Sequence, residues 1–432
     1  MPKTEPYIRE SRATELPHAL ISPLNKGLGL LEHALSPDEI RALNWNLLRE
    51  DLSLPTAVLY EGHVTNNLDW MQQFASAYGM KLAPHGKTTM APKLFSRQLA
   101  AGAWGITVAT VSQTRVAYEH GVRRVLMANQ LIGRQNMAMI ARLLDDAEFE
   151  YFCLVDSAQN VALLGEFFKS ERKHLNVLLE VGPEGGRTGV RNHKQLQALL
   201  DSLSSWREHL VLCGVEVYEG VLQDEHSIRQ LLQNTADILQ DIAAKDRFDF
   251  RPVILTGAGS AWYDIVAEIF AKARIDQPLE IVLRPGCYVT HDVGNYRTAQ
   301  REIEKRNPVA QNMSSSLQPA LQLWAYVHSL PETGRAIIGF GKRDAAFDAG
   351  LPTPALHYRP GNATPTDTPT NWNVTRMMDQ HAFMDIADGD DLRVGDMVAF
   401  DISHPCLTFD KWRYLPVLDN EYRVIDIVQT FF

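Results

Sequence analysis

The chain has 432 residues, of which 45% are hydrophobic and 22% are charged, and its formal net charge is -10 at pH 7. The composition is that of a globular protein, and the length exceeds one typical domain, so two domains are expected. An acidic surface repels polyanions, which argues against nucleic acid or an anionic membrane as a partner.

Two features of the sequence bear on its compartment. Residues 1–18 are polar and lack the apolar core of a secretory leader, and no stretch reaches the ~18 consecutive apolar residues of a membrane span. We therefore expect a cytoplasmic protein. The cysteines are few and scattered, and the first three lie in apolar runs, where buried free thiols are usual: Cys153, Cys213, Cys287 and Cys406.

The first regular elements precede residue 80. Residues 36–51 predict a helix, with Ser36 as N-cap, Pro37 in the first turn and Glu39 completing a capping box. Residues 54–62 predict a strand, and residues 63–79 predict a helix.

Short apolar strands then alternate with amphipathic helices, a pattern typical of a parallel sheet. Seven helices separate eight predicted strands, at 81–86, 105–110, 123–129, 149–157, 176–182, 210–218, 251–259 and 279–287. The pattern favours a (β/α)8 barrel over an open doubly wound sheet. The candidate catalytic and binding residues lie at the carboxyl ends of the strands, as in barrel enzymes.

From about residue 300 the helical periodicity fades, and short strands separated by turn residues predict a β domain. The proline- and threonine-rich segment 351–372 predicts a long surface loop. We assign 63–299 to the barrel and 300–432, with 1–62, to the second domain.

Lys87 is the first candidate functional residue. It follows the first barrel strand in the turn formed by Pro84, His85 and Gly86. A lysine buried at the end of a strand has a lowered pKa and becomes a nucleophile, which suits a Schiff base with pyridoxal phosphate. The alternative on these residues alone is a surface lysine in a polar turn.

A second signal is the turn of Thr256, Gly257, Ala258, Gly259 and Ser260 between the seventh strand and the next helix. Backbone N–H groups at such a turn bind phosphate, helped by the helix dipole, and barrels commonly bind phosphate here. We therefore predict that Thr256, Gly257, Gly259 and Ser260 bind the phosphate of the cofactor.

The segments PHGKTTMAP (84–92), ITVATVSQTRVAYEHGV (106–122) and VLMANQLIG (125–133) resemble the D-serine dehydratase and D-threonine aldolase family. These are fold-type III pyridoxal phosphate enzymes related to alanine racemase. The resemblance implies that His85, Arg187, Tyr218 and Tyr288 also contact the cofactor. It also implies a homodimer. Ala83 departs from the family, since many relatives carry arginine there.

His404 and Cys406 form a candidate metal site in an extended turn of the β domain, because imidazole and thiolate are preferred zinc ligands. Two protein ligands leave positions open for substrate, which suits a catalytic ion. Asp401 and Asp410 are expected to be turn or outer-shell residues. In the resembled family, dehydratases carry His-x-Cys and aldolases carry His-x-Asp.

The resemblance therefore implies dehydration of β-hydroxy D-amino acids, with D-serine and D-threonine leading, to a 2-oxo acid and ammonia. The alternatives are retro-aldol cleavage to glycine and an aldehyde, and a protein that stores or delivers pyridoxal phosphate. A racemase is disfavoured, since no second base is identified.

Overall fold

The computed structural model describes residues 20–432. The predictions for residues 1–19, namely their place in the second domain and the lack of a secretory leader, lie outside the described residues. In the described part of the chain, no helix is both long enough and apolar enough to cross a bilayer.

The first helix, α1 (Pro37–Ala42), begins with the predicted capping box. The Ser36 side chain accepts a hydrogen bond from Glu39 N at 3.3 Å, and Ser36 N donates to Glu39 Oε2 at 2.7 Å. The predicted length of this helix is wrong. The backbone at Asn44 is left-handed, with φ of 52°, which ends the helix before residue 51.

The next two predictions are confirmed by β1 (Thr56–Tyr60) and α2 (Glu61–Ala77). β1 does not join the barrel. It pairs with strands from the C-terminal part of the chain, as described below.

All eight predicted barrel strands are confirmed. They are β2 (Lys81–Leu82), β3 (Ile106–Val108), β4 (Arg124–Gln130), β5 (Glu150–Val155), β6 (Leu175–Val181), β7 (Leu210–Val217), β8 (Val253–Gly257) and β9 (Leu279–Leu283). They pair in parallel in the order β2-β9-β8-β7-β6-β5-β4-β3. The barrel closes where Trp104 N donates to Leu82 O at 2.6 Å and Thr107 N donates to Pro84 O at 2.9 Å.

A compact apolar cluster fills the barrel interior, with side chains from seven of the strands or their ends. Its buried members are Ala83, Leu126, Phe152, Leu154, Leu178, Cys213, Ile254 and Val282. Ala83 is fully buried here. A small side chain at this position is therefore part of the packing, and an arginine would have to displace apolar neighbours.

Seven helices lie between the strands, as predicted. They are α3 (Pro92–Ala100), α4 (Val111–Glu119), α5 (Arg134–Leu143), α6 (Ala158–Glu171), α7 (His193–Ser205), α8 (Glu225–Ala244) and α9 (Tyr263–Phe270). Two more, α10 (Asn295–Arg306) and α11 (Pro308–Gln311), follow β9. α10 continues across residue 300, where the sequence pattern predicted that helices end.

The second domain is mainly antiparallel β, as predicted. It consists of β10 (Leu321–Glu332), β11 (Arg335–Ile338), β12 (Thr353–Tyr358), β13 (Thr366–Asp367), β14 (Asn373–Met377), β15 (Ala382–Asp385), β16 (Met397–Asp401), α12 (Cys406–Phe409), β17 (Tyr414–Leu418) and β18 (Val424–Gln429). The main path runs β13-β12-β16-β10-β1-β17-β18, so β1 is a central strand.

The predicted surface loop 351–372 is wrong in part, because β12 and β13 lie within it. Pro354 is tolerated because β12 lies one strand from the end of the sheet and pairs with β16 through a bulge between Pro354 and Leu356. The bounds 63–299 and 300–432 of the two domains stay a prediction.

Candidate active site

The turn that carries Lys87 lies at the carboxyl end of β2. Gly86–Thr88 forms one 3-10 turn directly after the bridge between His85 and Thr107. Lys87 is exposed at this rim, so the burial expected for its amine is wrong. A lysine ammonium is strongly hydrated and stays in water where no partner replaces its hydration.

The imidazole of His85 lies beside this turn. Its Nδ1 is buried and has no hydrogen-bond partner within residues 20–432. Burial lowers the pKa of His85 well below its usual range, and the positive charges of Lys87, Arg284 and Arg187 add to the shift. The ring is therefore neutral near pH 7 and carries an unpaired nitrogen. Lys87, Arg187 and Arg284 follow the ends of three different strands, β2, β6 and β9.

The predicted phosphate turn follows β8 and leads into α9. The N–H of Gly259 donates to Glu219 Oε1 at 2.6 Å, so a carboxylate already accepts from the turn. Burial raises the pKa of Glu219, while N–H groups of Gly259 and Ala258 oppose that shift. The turn thus donates a backbone N–H to an internal carboxylate, and its predicted binding of phosphate stays a prediction.

Two other residues of the predicted turn have structural contacts. The Thr256 hydroxyl donates to Val282 O at 2.8 Å and is thereby fixed within the barrel wall. Ser260 Oγ accepts from Gly286 N at 3.3 Å and from Cys287 N at 3.2 Å. Ser260 therefore joins the turn to the segment after β9.

Arg187 and Tyr218 come together at the same rim. The Arg187 guanidinium lies over the Tyr218 ring at 4.9 Å, and both line a small cavity with Glu180 and Thr188. A Cβ on Gly259 would lie 3.1 Å from the Tyr218 ring. The structure therefore groups both residues with the phosphate turn.

Tyr288 is also close to the rim in sequence, but it is buried in the apolar core. Its hydroxyl accepts a hydrogen bond from Gln98 of α3 at 3.3 Å. The predicted contact between Tyr288 and the cofactor stays a prediction.

A buried ion pair beneath the rim was not found from the sequence. Arg284 and Glu216 pair with side chains that are 4% and 1% exposed, and Arg284 also donates to Val217 O at 3.2 Å. Burial raises the pKa of Glu216 to about 7, against the opposing effect of Arg284. The only signal was that each residue lies at or after a strand end.

The predicted metal ligands lie against the Lys87 turn. Cys406 begins the short helix α12, so the expected extended turn is wrong, and its Sγ lies 3.5 Å from Thr88 Oγ1. The Cys287 thiol and His404 lower the pKa of Cys406, and Cys406 and Asp348 raise that of His404. These shifts favour a thiolate beside an imidazolium.

His404 Nδ1 lies 2.8 Å from Asp348 Oδ2. Asp348 is therefore its acidic partner, while Asp401 accepts from Gln322 and Asp410 lies near Lys411. Nothing in the sequence near residue 348 pointed to this contact. Within residues 20–432, no three His, Cys, Asp or Glu side chains form a cluster ready to hold a metal ion.

Two family models match the chain over most of its length. The alanine racemase N-terminal domain matches residues 61–274, and the serine dehydratase domain matches residues 320–418. The chain belongs to the alanine racemase-like, fold-type III family of pyridoxal phosphate enzymes. The first match covers most of the barrel, and the second contains His404 and Cys406.

Fold-type III relatives include lyases. A D-threonine aldolase from an Arthrobacter species is 24% identical over 314 residues, 71% of this chain and 76% of that protein. The solved D-threonine aldolase from Filomicrobium marinum is 21% identical and superposes with a TM-score of 0.73, covering 90% of this chain and 97% of that chain.

A third relative is the D-threo-3-hydroxyaspartate dehydratase of Delftia sp. HT23. A His-to-Ala variant superposes with a TM-score of 0.71 at 19% identity, covering 91% of this chain and 98% of that chain. A Cys-to-Ala variant, changed two positions later and in the metal-free form, superposes with a TM-score of 0.70 at 19% identity, covering 90% and 99%.

The rim of the barrel fits the cofactor of this fold-type III family. Four buried polar atoms at the ends of β2, β7 and β9 have no hydrogen-bond partner in the described part of the chain: His85 Nδ1, Glu216 Oε2, Glu219 Oε2 and Arg284 Nε. Unpaired buried polar atoms are costly and call for a polar partner. Pyridoxal phosphate also needs donors for its phosphate and an amine for its aldehyde. The backbone N–H groups of the turn after β8 and the exposed amine of Lys87 could supply them.

Proposed function

We propose that this chain is a pyridoxal phosphate- and divalent metal-dependent lyase that removes water from β-hydroxy D-amino acids. The leading substrates are D-serine and D-threonine, and the products are a 2-oxo acid and ammonia. The proposal is carried by the thiol of Cys406, which lies 3.5 Å from the Thr88 hydroxyl, next to Lys87.

The thiol separates the two reactions of the resembled family. An aldolase-like chain would carry aspartate where Cys406 stands, whereas His-x-Cys is the dehydratase pattern. The spacing of the altered histidine and cysteine in the dehydratase relative supports this choice, as does the metal-free form of its cysteine variant.

Lys87 would act on the substrate as the base. Its side chain is exposed at the rim, and its amine would take the proton from Cα of a bound amino acid. Pyridoxal phosphate, when bound, supplies an electron sink for the pair left at Cα. Arg187, fixed over Tyr218, adds positive charge that favours anionic groups at the rim.

His404 and Cys406 would hold the divalent ion, because imidazole and thiolate are zinc ligands. Asp348 accepts from His404 Nδ1, which orients the ring, and the ion would take the place of the proton on Nε2. The ion would supply a Lewis acid for the departing β-hydroxyl. The neutral imidazole of His85 adds no charge that would repel the ion.

The test is product analysis on enzyme reconstituted with pyridoxal phosphate and Zn²⁺. D-serine, D-threonine and D-threo-3-hydroxyaspartate should each be offered, with L-serine as the stereochemical control. We expect equal amounts of 2-oxo acid and ammonia from at least one D-substrate. Glycine plus an aldehyde would overturn the dehydratase in favour of the aldolase.

A protein that only stores the cofactor is the remaining alternative. The β domain, with its ligand pair against the Lys87 turn, supports an enzyme, because storage needs no metal pair at that place. Turnover of none of the three D-amino acids would favour storage.

A further inference from the structure

A second cysteine lies beside the proposed metal ligands. Cys287 follows β9 and is buried, and its Sγ lies 3.6 Å from Cys406 Sγ. Thr88 Oγ1 is 3.7 Å from Cys287 Sγ and 3.5 Å from Cys406 Sγ. The two sulfur atoms and the Thr88 hydroxyl oxygen therefore form a nearly equilateral triangle. Thr88 and Cys287 come from two barrel loops, and Cys406 comes from the β domain.

The position of Cys287 is fixed by its backbone. Its N–H donates to Ser260 Oγ at 3.2 Å. The preceding Gly286 lets the segment pack against the Lys87 turn, because a Cβ there would lie 2.7 Å from His85 O and 2.8 Å from Thr88 Oγ1. The backbone of Cys287 is thus fixed by the fold, and this places its thiol at the rim.

The separation of the two sulfurs distinguishes a shared zinc ion from a disulfide bond. Two thiolates on one tetrahedral zinc, with Zn–S bonds of about 2.3 Å, lie about 3.8 Å apart. A disulfide would need about 2.05 Å between the sulfur atoms. The observed 3.6 Å is close to the first value and far from the second.

We propose that Cys287 is a further ligand of the divalent ion, so that Cys287, Cys406 and His404 hold it together. This inference rests on the proposed function, since it requires the ion to bind at this rim. Three protein ligands with one open position are the arrangement of catalytic zinc, and the open position would receive the substrate hydroxyl. Two thiolates also select zinc over magnesium or manganese.

Two of the three proposed ligands, the sulfurs of Cys287 and Cys406, already have the spacing that a zinc ion needs. His404 is not yet part of a three-residue cluster within residues 20–432, and its side chain is 26% exposed and tied to Asp348. The proposal therefore requires the imidazole of His404 to move toward the two sulfurs. Its bond to Asp348 is the usual outer contact of a zinc-bound histidine.

Cobalt spectroscopy tests the ligand directly. Holoenzyme, kept reduced, is titrated with Co²⁺, and the thiolate-to-cobalt charge-transfer band is read from the difference spectrum per bound ion. In Cys287→Ser this band should fall to about half, since one of two thiolates is lost. The Kd for Zn²⁺ should rise by more than about 10-fold, the smallest loss seen even for outer-shell changes. Cys213→Ala, which removes a buried thiol of the barrel interior, should change neither value.

Zinc X-ray absorption on the wild-type enzyme covers the case in which Cys287→Ser fails to fold. Two sulfur neighbours at about 2.3 Å are expected, and one sulfur neighbour would overturn the role of Cys287. An unchanged cobalt band and Zn²⁺ affinity in Cys287→Ser would also overturn it while leaving the proposed function intact. A wild-type enzyme that binds neither Co²⁺ nor Zn²⁺ would instead overturn the proposed metal dependence itself.

Discussion

At the scale of single residues, the proposed chemistry depends on where Cys406 lies. It comes from the β domain but touches Thr88, the neighbour of Lys87. A thiolate there, together with the other proposed ligands, would place the ion beside the Lys87 turn. Changes to this one side chain should therefore alter both the affinity for metal and the reaction.

Cys406→Ala should lose zinc and ammonia release together, each by more than about 100-fold, because removal of a ligand exceeds the cost of losing an outer-shell partner. Cys406→Asp should keep an ion but prefer Mn²⁺, since carboxylate is a harder ligand. Metal analysis and product analysis on D-threonine check both variants. Parental rates of pyruvate formation from D-serine in Cys406→Ala would contradict the prediction.

Lys87→Ala should lower turnover by at least about 100-fold, because the base and the covalent anchor are removed together. Borohydride treatment of the wild-type enzyme, followed by peptide mapping, should find the cofactor fixed on Lys87. Lys81→Ala, at the exposed start of β2, is the matched control and should keep both properties. A label on any other lysine would end the assignment.

His291 should make the free energy of unfolding depend on pH. It is 4% exposed, and burial lowers its pKa from 6.5 to about 4, with Arg297 adding to the shift. Since the folded pKa lies below the unfolded one, the unfolded chain gains the proton first as pH falls. The contribution to stability, at most about 3 kcal/mol, is therefore present above pH 6.5 and lost down to pH 4.

His291→Asn should reduce this loss, because asparagine has no group that titrates in this pH range. Asparagine also tolerates the left-handed backbone at this position, where φ is 50°, so the fold should be kept. The fall in Tm between about pH 7 and about pH 4.5 should be smaller in this variant than in the parent. His193→Asn, at an exposed histidine of α7, should match the parent. An equally steep fall in His291→Asn would contradict the role of His291.

At the scale of elements, the barrel was predictable because its strands are short apolar runs bounded by turn residues, a local signal. The failures are also physical. Asn44 ends α1 through a left-handed backbone, and β12 is a strand because it pairs with β16, although its sequence resembles a loop. Cys287 and Cys406 are 119 positions apart, so their contact depends on how the domains pack.

The turn after β8 is the element on which cofactor retention should depend. Gly259→Val should weaken binding of pyridoxal phosphate, because the added Cβ would lie 3.1 Å from the Tyr218 ring and 3.4 Å from Glu219 Oε1. Equilibrium dialysis measures the affinity, and circular dichroism checks the fold. Gly62→Ala, in α2 with its nearest contact at 3.5 Å, is the control. Parental affinity in Gly259→Val would place the phosphate elsewhere.

At the scale of the whole molecule, the residues of the proposed site come from both the barrel and the β structure. Lys87, Arg187 and the phosphate turn belong to the barrel, whereas His404 and Cys406 belong to the C-terminal β structure. The domains are also joined by an ion pair between Lys93 of α3 and Asp426 of β18 at 2.5 Å. Loss of the metal should therefore leave the cofactor in place.

A chelator such as EDTA should accordingly lower ammonia release by more than about 100-fold while the visible absorbance of the bound cofactor persists. Added Zn²⁺ should restore turnover, and Mg²⁺ should not, because a thiolate-containing site prefers the softer ion. The barrel would keep its anion-binding turn and Lys87 throughout, since neither takes its position from His404 or Cys406. Cofactor released together with the metal, or full turnover in the chelator, would contradict this division of the site between the two domains.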